Sequence, residues 1–142
     1  MTIESIATRE VVMISESVAL NKAAELMKDH NIGAIIVIKD KNTSKTPCGI
    51  ITDRDIMIKW LEKGIDNQAL TVGQVMSQDL LTIKQNQSIL DAISALSEKG
   101  VRRAPVINQA GEVIGIISID DIFVLLAKEM DAISKIAQKQ SC

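Results

Sequence analysis

Apolar positions along the chain follow two alternating rhythms, and the same succession of rhythms occurs twice. Val11-Val12-Met13-Ile14 is a short apolar run that predicts a strand. Leu20, Ala23, Ala24 and Met27 then recur at i, i+3, i+4 and i+7, which predicts one face of an amphipathic helix, with Asn31 and Gly33 as stop signals. Ile35-Ile36-Val37-Ile38 is a continuous, β-branched run and reads as a strand covered on both faces. A polar turn from Lys39 to Pro47 leads to a strand over Cys48–Ile51, and Thr52 opens a second helix that carries Ile56, Trp60 and Leu61 and stops at Gly64. Residues 1–10 are mixed and predict a strand or a turn of helix laid on the body.

After a polar linker from Asp66 to Thr71 the order repeats. Leu80-Leu81-Thr82-Ile83 matches the first strand, and Ser88 is placed to cap a helix that bears Ile89, Ala92, Ile93 and Leu96 and ends at Gly100. Those four apolar positions stand 69 residues after Leu20, Ala23, Ala24 and Met27, and Ala104-Pro105-Val106-Ile107 keeps that offset from Ile35–Ile38. The turn from Asn108 to Val113 is shorter, so the offset falls to 66 for Gly49 and Gly115, Thr52 and Ser118, Asp55 and Asp121. A helix face and two strands in register mark an internal duplication, with residues 1–68 as the first repeat and 69–142 as the second. The last helix, from about Ile119, is predicted to run longer than its first-half partner, through Ile122, Leu125, Leu126, Ile133, Ile136 and Ala137. That stripe either packs along its own core or makes the contact of a homodimer.

The length of 142 residues suits about one domain, and a half of about 65 residues is a marginal folding unit alone. Two halves burying their apolar faces together make an α/β (α+β) architecture the natural solution. The only aromatics, Trp60 and Phe123, leave no stacking platform for nucleic acid, and a net charge of −2 leaves no broad phosphate-tracking face. Cys48, Cys142 and His30 lack the spacing of a zinc site. The amino terminus has no signal-peptide pattern, and no apolar run reaches the roughly 18 residues of a membrane helix, so the chain reads as soluble and cytoplasmic, without membrane insertion. No Cys/His or Ser/His dyad stands near a helix corner, and neither glycine-rich nucleotide motif of the common enzymes occurs, which argues against catalysis.

The duplicated element is a strand-to-helix corner, Gly49-Ile50-Ile51-Thr52-Asp53-Arg54-Asp55 and Gly115-Ile116-Ile117-Ser118-Ile119-Asp120-Asp121. A hydroxyl followed three residues later by a carboxylate is a capping box in its own right. On spacing alone, capping is a sufficient account of Thr52 with Asp55 and of Ser118 with Asp121.

Together with the upstream Ala23-Ala24-Glu25-Leu26-Met27 helix and the Arg102-Arg103-Ala104-Pro105-Val106 segment, the two corners resemble a tandem pair of cystathionine-β-synthase (CBS) domains, a Bateman module, over about residues 10–130. The resemblance implies two β-α-β-β-α repeats packed about a pseudo-twofold axis, and a homodimer. It also implies a regulatory module that binds an adenine nucleotide or adenosyl ligand (AMP, ADP, ATP or S-adenosylmethionine) in clefts between repeats, requires no cofactor, and acts on an enzyme or transporter. The hydroxyl and carboxylate of each corner, Thr52 and Asp55, Ser118 and Asp121, would hold ribose or phosphate, with Arg54 beside the first. Arg102, Arg103, Ala104 and Pro105 would meet phosphates from the opposite repeat. A carboxylate at a helix start can accept two hydrogen bonds from a ribose diol, the free N–H groups there favour an anion, and guanidinium forks suit phosphate oxygens. The clefts are expected to be unequal. Thr52, Arg54 and Asp55 with Arg102 and Arg103 suit a phosphorylated ligand. Ser118 and Asp121 face Gly33 and Ala34, beside the repulsive Asp120, and suit an uncharged adenosyl group or none. The competing reading is a protein–protein interaction module with vestigial clefts.

Overall fold

The computed structural model describes residues 2–40, 45–65 and 69–140. Positions 41–44 of the expected polar turn, 66–68 of the expected linker, and Cys142 lie outside the described residues. The duplicated pattern forms two three-stranded sheets of identical topology. In the first half the elements are β1 (Met13–Ser15), α1 (Leu20–His30), β2 (Ala34–Ile38), β3 (Pro47–Thr52) and α2 (Asp53–Lys63). The second half begins with the single turn α3 (Val72–Val75) and continues with β4 (Ile83–Lys84), α4 (Ile89–Lys99), β5 (Arg103–Ile107), β6 (Val113–Ser118) and α5 (Ile119–Gln140). In each sheet the middle strand pairs parallel with the first and antiparallel with the last. Both ladders carry an irregularity at matching places, between Val37 and Ile38 and between Val106 and Ile107.

Local chemistry sets the ends of the helices. Asn31 takes the left-handed conformation at φ 53° and closes α1, and Gly100 does the same for α4 at φ 71°. Ser88 accepts a hydrogen bond from Asp91 N at 3.1 Å and so starts α4. The continuous apolar run of β2 is covered on both faces, and Ile35, Ile36 and Val37 are fully buried.

The two cores exchange segments. Ile3, on a 3-10 turn over Ile3–Ser5, is fully buried in the second core with Ile83, Ala92 and Ile117. Val72, on α3, is fully buried in the first core with Leu20, Ile35 and Ile51. The exchange obeys the repeat. Ile3 N donates to Gln87 O at 3.2 Å as Val72 N donates to Val18 O at 2.8 Å, and Thr8 bridges Ile116 as Ser77 bridges Ile50. Each strap therefore belongs to the core of the other repeat.

The same exchange shortens two expected strands. Once Thr8 has paired with Ile116 in the second sheet, residues 9–12 must cross to the first sheet, and β1 begins only at Met13. Past Ser77 the chain crosses back, so β4 covers Ile83–Lys84 instead of Leu80–Ile83. The expected packing of α5 along its own core holds for Ile122 but not beyond Leu125. Leu126, Ile133 and Ile136 are exposed, on a helix of 22 residues.

Candidate functional site

Each corner is built by its own capping box. At the first, Asp55 N donates to Thr52 Oγ1 at 3.1 Å and Thr52 N donates to Asp55 Oδ2 at 3.0 Å. At the second, Asp121 N donates to Ser118 Oγ at 3.3 Å, while Ser118 N and Ser118 Oγ donate to Asp121 Oδ2 at 2.9 and 3.1 Å. These bonds satisfy donors that a helix start leaves without partners. The first residue of each helix then ties the corner to the residue ahead of the middle strand: Asp53 N donates to Gly33 O at 3.0 Å, and Ile119 N to Arg102 O at 2.8 Å.

A cavity of about 270 Å³ opens where the second corner faces the first half. Ser118, Asp120, Asp121 and Ile116 come from the second corner, and Ile32, Gly33, Ala34 and Ile36 come from the first half. Thr8, Glu10, Val11 and Val12, on the strap as it crosses between sheets, close a third side, and Arg103 completes the wall. A Cβ on Gly33 would stand 3.2 Å from Asp53 Oδ2, the end of an exposed side chain. The wall combines apolar side chains, three carboxylates, two of them at a helix start, and one guanidinium, a mixture suited to an amphipathic, hydroxyl-bearing small molecule.

The expected site residues fall into four groups. Ser118 and Asp121 share the cavity with Gly33 and Ala34. Asp55 lines a separate depression of about 170 Å³ with Ile58, Lys59, Glu62 and Val75. Thr52, Arg54, Ala104 and Pro105 do not line the Ser118 cavity; Thr52 caps α2, Arg54 is exposed, and Ala104 and Pro105 are buried in β5. The structure gives the two arginines different surroundings. Arg103 is the register partner of Ser118 across β5 and β6, so adjacency within one sheet carries it into the Ser118 cavity. Arg102 pairs with Asp120, Nη2 to Oδ1, at 3.5 Å, and lines an apolar groove beside Phe123. Sequence reasoning missed the strap residues Thr8, Glu10, Val11 and Val12. Their signal was an apolar pair at 11 and 12, repeated at Leu80 and Leu81, that β1 and β4 do not use.

The CBS domain family model matches residues 3–62 and 72–128, once on each repeat. The chain belongs to the CBS domain family. A Methanopyrus kandleri protein, MK0525, is 30% identical to this CBS pair over 122 residues, which are 86% of this chain and 61% of that one, so the chain spans less than two thirds of that relative. Hypoxic response protein 1 of Mycobacterium tuberculosis is 33% identical over 121 residues, 85% of this chain and 82% of that one. The crystal structure of hypoxic response protein I, described with two coordinated zinc ions, superposes with a TM-score of 0.74 over 86% of this chain and 96% of that chain. The CBS domain pair of MJ0100, in complex with 5′-methylthioadenosine and S-adenosylmethionine, superposes with a TM-score of 0.75 at 21% identity, covering 91% of this chain and 98% of that chain, and shares the fold. Among the described residues of this chain no three His, Cys, Asp or Glu side chains gather closely enough to hold a metal ion. Nor, among those residues, is any helix long and apolar enough to cross a membrane.

Proposed function

We propose that this CBS pair is a non-catalytic regulatory sensor, and that an adenine nucleotide or adenosyl ligand enters the cavity at Ser118 and Asp121. The observation that supports this reading is the meeting of one corner with the opposite repeat. Asp121 commits Oδ2 to the capping box, which leaves Oδ1 outside it and available to a ribose hydroxyl. Val11, Val12, Ile36 and Ile116 on the same wall offer an apolar bed for a purine. Because the cavity draws on both repeats and on the strap between them, occupancy would fix their relative placement. That is the lever by which a bound ligand would act on a partner enzyme or transporter.

The test is calorimetric titration of the full chain with AMP, ADP, ATP, 5′-methylthioadenosine and S-adenosylmethionine, alongside thermal melting. A ligand that binds only the folded chain, at 100 times its Kd, stabilises it by about 2.7 kcal/mol. If no adenosine compound binds, the chain works through its surfaces alone, and the exposed stripe of α5 becomes the feature that matters.

A further inference from the structure

We propose that the Ser118 cavity sorts ligands by charge, with Glu10 as the specificity-determining residue: it favours an adenosyl compound whose tail carries a positive charge and disfavours one that carries phosphate. This rests on the reading of the cavity as an adenosyl site. Four charged residues line the wall, Glu10, Asp120 and Asp121 against Arg103. Asp120 is offset by its ion pair with Arg102, and Asp121 is engaged through one oxygen by Ser118. Glu10 takes part in no ion pair among the described residues. Arg103 likewise takes part in none of them, so both stand unpaired on the wall, and the sum of the five charges, Arg102 included, stays at −1.

The repeat supplies an internal comparison. The position equivalent to Glu10 is Asp79, and Asp79 is paired with Lys99. The equivalent of Lys99 in the first repeat is His30, which takes part in no ion pair among the described residues. The middle residue of the corner also reverses sign, from Arg54 in the first to Asp120 in the second. Both differences make the Ser118 side the more negative one. A cationic tail next to an unpaired carboxylate gains attraction there, whereas the phosphates of AMP or ATP meet like charge on the cavity wall.

Four probes with one adenosine core test this: S-adenosylmethionine, which carries a sulfonium, neutral 5′-methylthioadenosine, AMP and ATP, titrated into the full chain and into Glu10→Gln. In the wild type S-adenosylmethionine should bind at least tenfold more tightly than AMP, with ATP weaker still. Glu10→Gln should narrow the S-adenosylmethionine to AMP ratio by about tenfold and leave 5′-methylthioadenosine nearly unchanged. Asp120→Asn should narrow the ratio in the same direction, and added salt should compress it in the wild type by screening. Glu10 is exposed, so the variant should melt with the wild type. Equal binding of AMP and S-adenosylmethionine to the wild type, or a ratio unmoved by Glu10→Gln, overturns charge sorting while the adenosyl reading stands. If none of the four probes binds the wild type, both ideas fall together.

Discussion

Gly115 touches Thr8 backbone to backbone: a Cβ built on Gly115 would stand 2.8 Å from the Thr8 carbonyl oxygen. Thr8 N donates to Ile116 O at 3.0 Å and Ile116 N to Thr8 O at 2.9 Å, so the close approach belongs to the bridge that anchors the strap. Gly49 stands in the same relation to Ser77, whose carbonyl oxygen would lie 2.8 Å from its Cβ. The glycine that opens each duplicated corner is thus the seat of the strap from the other repeat.

Gly115→Ala should push the 2–8 strap away from β6. The obstacle is backbone, not the flexible end of a side chain, so the expected loss is about 1–3 kcal/mol, as for other overpacking changes. Thermal unfolding should shift down by several degrees, and hydrogen exchange at the Thr8 and Ile116 amides should quicken beyond the global change. Unaltered protection at those two amides would show that the strap tolerates the methyl group.

The duplication, the helices and the middle strands were legible because their apolar residues recur at periods that local backbone geometry imposes. Leu20, Ala23 and Met27 can only be one helix face, and they are buried as one. The exchange of straps was not legible. Ile3 and Val72 are single apolar residues on turns of three and four residues, too short for any period, and nothing local tells which core receives them. The same holds for the arginines. Spacing put Arg103 ahead of a strand, but which corner it meets depends on the β5–β6 register. The capping boxes were legible down to the atom because a box is a local device.

Cys48 should make stability fall at alkaline pH. Burial first, and the Glu16 carboxylate second, raise its thiol above the ordinary value of 9.0. Ionisation therefore favours the unfolded chain. The contribution is fully present below the unfolded-state value and is lost as pH rises through the higher folded-state value. Urea unfolding between pH 8 and 11 should show a shallower decline for Cys48→Ser than for the wild type. In a Cys142→Ser background, alkylation at pH 9 should be slower than for a free thiol, and equal rates would contradict the shift.

The α5 stripe should hold two copies together. Phe123, Met130, Ile133 and Ile136 are 61%, 66%, 59% and 58% exposed, at spacings that keep them along one side of the helix. An apolar stripe of that length in water is a surface suited to burial against its own copy. Sedimentation at micromolar concentration should give about twice the chain mass of 15.4 kDa. Ile133→Glu combined with Ile136→Glu should return it to the chain mass with the helix retained, and a wild type that sediments as one chain would end the idea.

Asp121→Glu separates the helix cap from the ligand contact at the cavity itself. Glutamate is the commoner partner in a capping box, so the variant should keep the reciprocal bonds with Ser118 and melt within about 0.5 kcal/mol of the wild type. The added methylene nevertheless moves the carboxylate by about one carbon–carbon bond, and a hydrogen bond to a ribose hydroxyl needs a donor–acceptor distance of about 2.7 Å. Affinity for an adenosine compound should fall about tenfold, a loss of about 1.4 kcal/mol. Asp55→Glu makes the same change at the other corner, where the carboxylate faces the depression beside Lys59 and not the cavity between the repeats. That variant should bind like the wild type. Titration of both variants at one salt concentration gives the comparison. Equal losses in the two would place a ligand at each corner, and a loss only in Asp55→Glu would move the site to the first corner and leave Asp121 as a helix cap.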